Sequence, residues 1–505
     1  MSVKVNISTF QLKKNFIYNI ISLLCTVGLG FYLVPFILSR VGVEAYGYIP
    51  IAMLAFDYMS VIIGSVNTSI SRFMAFALSK DDKEDARRTY VSSFYLVLIL
   101  ELFFLPFLLY FTFCPEAIIE ITTTDLREEV QLLFGFTFLG NLLSFLNGVF
   151  GAPLYAFNRI DLGRKRDILR IVVRAAIVII GLQYSLSLAV IGIANLMSGM
   201  ATVLFTLYYK QVLTPYMKVG GSFSFKVLRS LLNTIFWLMI GQLGFLLFNK
   251  VELLVINRMI SPEEAGKFSL ILPLVNVVIT VGSMITVLFG PTIVYLVANN
   301  EYEELKVRLR KVTKFIAICI GVLSTILICF ASDILYLWLG DTYDNLPVVL
   351  SIIVFSTALV MIARIANTIF QAYDKVKYPG LFTIGLGFIN IMSLIGITYY
   401  FHTGIVMIAF IGGSFLVLLN NVFFPLIMNR LLRGSGIIVA KESMRFVAIV
   451  ALPFALSLYL HSLGMALISR IGILGLMTLL IISVQISKQD IMELITIMKS
   501  RNNNK

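Results

Sequence analysis

Fourteen apolar runs occupy most of the chain and leave it few ways to fold. They cover approximately 16–39, 45–70, 91–113, 130–156, 168–184, 186–209, 231–256, 267–297, 313–332, 346–372, 379–400, 404–428, 445–461 and 465–486. A helix needs about 20 apolar residues to cross the hydrocarbon core of a bilayer. Inside that core the backbone must satisfy its own hydrogen bonds, which only helices and closed barrels do. Barrel strands are shorter and alternate in polarity, whereas these runs are long and uniformly apolar. The expected fold is all-α and polytopic, with about fourteen transmembrane helices. Composition agrees: 13% of residues are charged, against about 25% in soluble domains.

Charge asymmetry orients the runs. If the N-terminus is cytoplasmic, the outer loops and their edges hold only Arg40, Arg127, Arg258, Lys267 and Arg470. Arg72, Arg174, Lys250 and Arg364 fall within segments, and the rest of the 40 Lys and Arg residues lie on the inner side. Basic loops stay in the cytoplasm, so both termini are expected there. The net charge of +13 is mostly this signal, and it gives no reason to invoke nucleic acid. Four cysteines, three of them within apolar runs, make no disulfide framework. The first run is too long for a cleavable signal peptide, and it ends at Pro35 and Arg40; it is expected to remain as the first membrane helix.

A duplication is visible at three places. The turn Arg40-Val-Gly-Val-Glu44-Ala45-Tyr-Gly-Tyr48 resembles Arg258-Met-Ile-Ser-Pro-Glu-Glu264-Ala265-Gly-Lys-Phe268. Ala156-Phe-Asn-Arg159-Ile, at the end of the fourth run, resembles Ala372-Tyr-Asp-Lys375-Val at the end of the tenth. Offsets of 216–220 residues make runs one to six a repeat of seven to twelve. Six is even, so both halves enter the membrane in the same sense and are parallel repeats. The expected domains are a six-helix bundle over 1–210, a second over 211–430, two additional helices over 431–487 and a cytoplasmic tail over 488–505.

Charges at bilayer depth are costly, about 2.5–3.5 kcal/mol each on insertion scales, and they usually face a cavity. Seven fall within runs: Asp57, Arg72, Glu101, Arg174, Lys250, Glu252 and Arg364. Lys250 and Glu252 sit midway along the seventh run and point about 200° apart on a helix, so each needs a partner elsewhere. Arg364, Arg72 and Arg174 lie nearer the inner side, where long side chains also snorkel to the headgroups. Asp57, Glu101 and Glu252 are candidates for a proton or sodium site. Gly290-Pro291 is expected to interrupt the eighth run.

Several signals are missing. There is no phosphate-binding Gly-rich loop ending in Lys-Ser/Thr and no HExxH, and the only histidines are His402 and His461. No metal site, no catalytic set and no cofactor is expected, and an ATP-driven pump is not expected from this chain alone.

Phe36-Ile-Leu-Ser-Arg40-Val-Gly-Val-Glu-Ala-Tyr-Gly47, Ser69-Ile-Ser-Arg72-Phe73 and Lys250-Val-Glu252 with Glu264-Ala-Gly266 carry a family resemblance, as does Gly290-Pro291 followed by Asn300-Glu-Tyr-Glu-Glu-Leu305. The chain resembles the polysaccharide-flippase branch of the multidrug/oligosaccharidyl-lipid/polysaccharide exporter superfamily over nearly its whole length. The resemblance implies two six-helix bundles around a central cavity that rocks between inward- and outward-open states. It implies an undecaprenyl-pyrophosphate-linked oligosaccharide as substrate, in the cytoplasmic membrane of a bacterium that builds O-antigen, capsule or a similar surface polysaccharide. On that reading Lys250, Arg364, Arg72 and Arg174 would hold the phosphates, and Glu252, Asp57 or Glu101 would couple transport to H+ or Na+. Membrane lipids, a polysaccharide polymerase and other assembly proteins are the expected partners. A multidrug/cation antiporter of the same fold is the alternative; a membrane glycan polymerase or acyltransferase is a third, for which the outer loops offer few catalytic groups.

Overall fold

One glycine breaks the first helix in two. Helix α1 (Thr9–Ser79) carries both of the first two apolar runs, and Gly42, with φ 83° and ψ 169°, divides it. Only glycine adopts that backbone region readily, and it stands in the gap between the two runs. The computed structural model describes residues 9–215 and 251–485, apart from 80–81, 122–123, 158, 299, 341–342, 374, 376 and 433, together with 224, 225, 228, 229 and 232. Every regular element among them is helical.

Two compact units are formed. The first is Met1–Pro273 with Ile395–His402, and the second is Leu274–Leu394 with Thr403–Lys505. In the first unit α1 is followed by α2 (Lys83–Phe113), α3 (Thr124–Ala156), α4 (Ile160–Tyr184), α5 (Ala189–Leu213), α6 (Val251–Met259) and α7 (Pro262–Leu270). Asp82 caps α2 by accepting from the Asp85 amide at 2.8 Å, with Glu84 and Asp85 in its first turn; both devices favour the positive end of a helix dipole. Helices α3 and α5 meet through glycines: a Cβ on Gly140 would lie 2.9 Å from the Asn195 carbonyl oxygen. Asn195 then donates to Thr137 at 3.0 Å across the same contact. Small residues with an interhelical amide bond are how helices associate without a hydrophobic driving force.

The duplicated turns pack on one another. Ser261 caps α7, accepting from the Glu264 amide at 3.1 Å, and Pro262 opens the helix. Tyr48 and Phe268, equivalent in the two turns, are both fully buried. The α2–α3 connection is tied to the same region. Arg258 donates to the carbonyls of Glu116 at 3.2 Å and Ile119 at 3.5 Å, Asn257 accepts from the Glu120 amide at 2.9 Å, and the Tyr48 hydroxyl donates to the Glu120 carbonyl at 3.2 Å.

The second unit holds α8 (Leu272–Ala298), which begins at the unit boundary, then α9 (Tyr302–Cys329), α10 (Ala331–Leu339), α11 (Leu346–Ala363), α12 (Ile365–Ala372), most of α13 (Lys377–Phe401) and α14 (Ile405–Val417). A π-helical turn, Leu418–Phe423, joins α14 to α15 (Phe424–Leu431), and α16 (Ser435–Ser462) and α17 (Leu467–Gln485) complete it. Asn421, inside the π turn, donates to the Leu359 carbonyl at 3.1 Å and to Ser443 at 2.9 Å, so it joins α11 and α16. Helix α8 runs through Gly290-Pro291 without a break; in a membrane helix proline removes one hydrogen bond without ending the helix. The last two helices seat on the α9–α10 junction. Ser457 donates to the Cys329 carbonyl at 3.0 Å, and Arg470 pairs with Asp333 at 3.0 Å, its guanidinium 5.7 Å from the Phe330 ring centre.

Eleven helical stretches among the described residues are long and apolar enough to cross a membrane. They account for all of the expected runs but three. The second limb of α1 is continuous with the first, α4 is too rich in arginine, and 231–256 lies mostly outside the described residues. The tail 488–505 also lies outside them.

Candidate functional site

In the second unit the membrane-depth cation is Arg364. The tenth run does not form one helix: α11 ends at Ala363 and α12 starts at Ile365, with Arg364 at the join. The side chain is partly buried and donates to Ser283 of α8 at 3.2 Å, with the Met361 sulfur at 3.7 Å. Close approach of the two helices is set one residue away, where a Cβ on Gly282 would lie 2.9 Å from Met361. Gly282-Ser283 therefore supplies both the room and the acceptor, a pairing that was readable in the sequence as two small residues within an apolar run.

In the first unit Arg174 lies past the middle of α4. Its Nε is buried without a hydrogen-bond partner, and it is within electrostatic reach of the buried Tyr46 on α1. Glu252 is buried in the first turn of α6. Glu101, on α2, has one carboxylate oxygen buried with no hydrogen bond. Asn141 and Asn147 of α3 each keep one buried, unbonded side-chain atom, as does Asn257 on α6.

The remaining expected residues are less fully described. Asp57 and Arg72 lie on α1, but nothing of their side chains is described, and Lys250 lies outside the described residues. The structure therefore brings Arg364 to Ser283, and Arg174 near Tyr46, but joins none of the seven charges directly to another among the described side chains. At the α3–α4 junction, by contrast, Arg159 grips Asp161 with two hydrogen bonds of 3.0 and 3.2 Å, and this carboxylate raises the Arg159 pKa. That pair gives the Ala156–Ile160 landmark a structural role. Among the described residues no group of His, Cys, Asp and Glu could hold a metal ion.

Membrane-buried guanidinium groups fit phosphate oxygens through paired N–H donors. Buried carboxylates fit a proton or an alkali cation.

The family described as polysaccharide biosynthesis protein matches residues 12–297. An uncharacterised membrane protein, EpsK of Bacillus subtilis (strain 168), is 24% identical over 426 residues, covering 83% of each chain. A multidrug resistance MATE family transporter of the MOP superfamily, solved inward-facing, superposes with a TM-score of 0.67 at 16% identity, covering 83% of this chain and 99% of its own. The lipid II flippase MurJ in an inward closed conformation gives 0.64 at 12% identity, covering 93% and 98%. At these identities the two structures establish a shared fold.

Proposed function

This chain belongs to the polysaccharide biosynthesis protein family, and from that premise we propose that it is a flippase for an undecaprenyl-pyrophosphate-linked oligosaccharide. It moves this substrate from the inner to the outer leaflet of the bacterial cytoplasmic membrane by alternating access. The observation that carries the reading is Arg364, a cation kept at a helix break within an apolar run and oriented by Ser283. A buried charge there is costly unless it serves a polar passenger.

The physics sets what such a protein must supply. Each unpaired sugar hydroxyl costs about 1–3 kcal/mol to desolvate, and a pyrophosphate far more. A polar path lowers that barrier while the lipid tail stays in the membrane. Arg364 and Arg174, with Lys250 and Arg72, hold the phosphates in this reading. Outward movement of a head with two negative charges gains about 4–5 kcal/mol at 100 mV. Glu252, Glu101 and Asp57 are the groups to couple it to H+ or Na+. The parallel bundles 1–210 and 211–430, cytoplasmic termini, and a polysaccharide polymerase as partner belong to the same proposal. No bond is made or broken in the cycle.

The test is transport by the purified full chain in proteoliposomes, using a fluorescent undecaprenyl-pyrophosphate-linked sugar and a membrane-impermeant quencher. Translocation that is lost in Arg364→Ala supports the reading; absence of translocation by the wild-type chain refutes it. The buried carboxylates Glu101 and Glu252 would also suit a cation exporter. Efflux of a toxic cation without lipid translocation would favour that second reading.

A further inference from the structure

Helix α4 carries Arg166, Arg170 and Arg174 at intervals of four residues. That spacing puts three guanidinium groups on one face, about 6 Å apart along the axis and drifting by about 40° per step. Arg170 is within electrostatic reach of both of the others. Like charges four residues apart work against a helix, so the row needs a negative counterpart.

Helix α4 supplies little of it. Asp161 is taken by Arg159 at 3.0 Å. Asp167 is shared between Arg166 at 3.1 Å and Arg164 at 3.3 Å, which places it at one end of the row. At the other end the Arg174 Nε is buried and makes no hydrogen bond. Lys165 points off the row, 4.9 Å from the ring centre of Tyr18 on α1. All three members of the row are arginine, the side chain whose planar fork matches phosphate oxygens.

We propose that Arg166, Arg170 and Arg174 form a stepped binding track for the phosphate groups of a lipid headgroup, entered at the Arg166 end of α4 and ending at Arg174. The identity of the headgroup rests on the flippase reading; phosphate binding by the row does not.

The experiment uses the purified full chain in nanodiscs and measures affinity for inorganic pyrophosphate, undecaprenyl pyrophosphate and phosphatidylglycerol. Loss of one charge-assisted contact is worth about tenfold in affinity. Arg170→Gln and Arg174→Gln should each weaken both pyrophosphate compounds by that factor, with a smaller loss in Arg174→Lys. Thermal unfolding checks that each variant is folded, and Arg174→Lys carries the comparison if Arg174→Gln is not. Unchanged affinity for both pyrophosphate compounds overturns the track, as does a loss confined to phosphatidylglycerol. The two readings fail differently. Without flippase activity the variants still lose pyrophosphate, but the wild type moves no lipid-linked sugar; without the track, the wild type moves it and the two glutamine variants match the wild type.

Discussion

Gly47 and Gly266 stand against each other so closely that a Cβ built on Gly47 would lie 2.8 Å from the Gly266 Cα. A Cβ on Gly266 would strike the Val43 carbonyl oxygen. The neighbours are backbone atoms, which cannot swing aside. Gly47→Ala and Gly266→Ala should each destabilise the first unit by about 1–3 kcal/mol, the usual range for overpacking. Thermal unfolding in detergent measures it. The double variant should cost less than the sum, since the first substitution has already parted the helices. Strict additivity would show that the two glycines do not share a contact.

Arg364 should matter far more for transport than for folding. Arg364→Ala is expected to lower surface polysaccharide about tenfold, the scale of one charged hydrogen bond, at unchanged protein level in the membrane. Ser283→Ala should give a smaller decrease, because it orients the guanidinium without contacting the substrate. Quantifying glycan and protein from the same cells checks both, and equal effects would argue against that division of roles.

The Arg470–Asp333 pair fastens α17 to α10, with Arg470 nearly buried and Asp333 partly exposed. Removing one partner of a buried pair costs about 3–5 kcal/mol, and the exposure of Asp333 puts the expected value toward the lower end. Arg470→Met should therefore lower the unfolding temperature clearly, whereas Arg470→Met with Asp333→Leu should recover much of the loss. A double variant no better than the single one would mean that the pair is not the fastening.

The connection at 115–121 should respond to acid. The Glu116 carboxyl is held below its usual pKa, first by its own backbone amide and then by Arg127. A lowered carboxylate pKa gives stability that is complete above the ordinary carboxylate range and lost as pH falls through the lowered value. Hydrogen exchange at Ile118–Glu120 should be steady from neutral pH down to that range and accelerate below it. In Glu116→Gln the acid-dependent part should vanish, while the Arg258 bonds to the Glu116 and Ile119 carbonyls remain.

What could be read beforehand followed the physics that acts locally. Apolar run length marks membrane helices wherever lipid is the solvent, and the gap between the first two runs is where Gly42 breaks α1. The matched turns were legible because each needs its own cap and glycine, as Ser261 and Gly266 show. Helix starts outside the hydrocarbon region were not. Helix α4 begins at Ile160 rather than near 168, since arginine and lysine are good helix formers that hydropathy discounts. That early start is what brings Arg166 and Arg170 into register with Arg174. The break at Arg364 was hidden because no proline or glycine marks it; it depends on α8 lying alongside, a contact between residues far apart in sequence. Ser283 was missed for the same reason.

The π turn at Leu418–Phe423 stores an extra residue within a turn of helix. Deleting one residue there would shorten the span by only about 1.5 Å, a mismatch a bilayer absorbs by slight tilt or thinning. The same deletion would turn everything downstream by about 100°, carrying Met428 out of the interior and the exposed Arg430 toward it. Length is forgiving at this point in the chain and phase is not, so single-residue indels should be tolerated in the connecting loops but not within this turn.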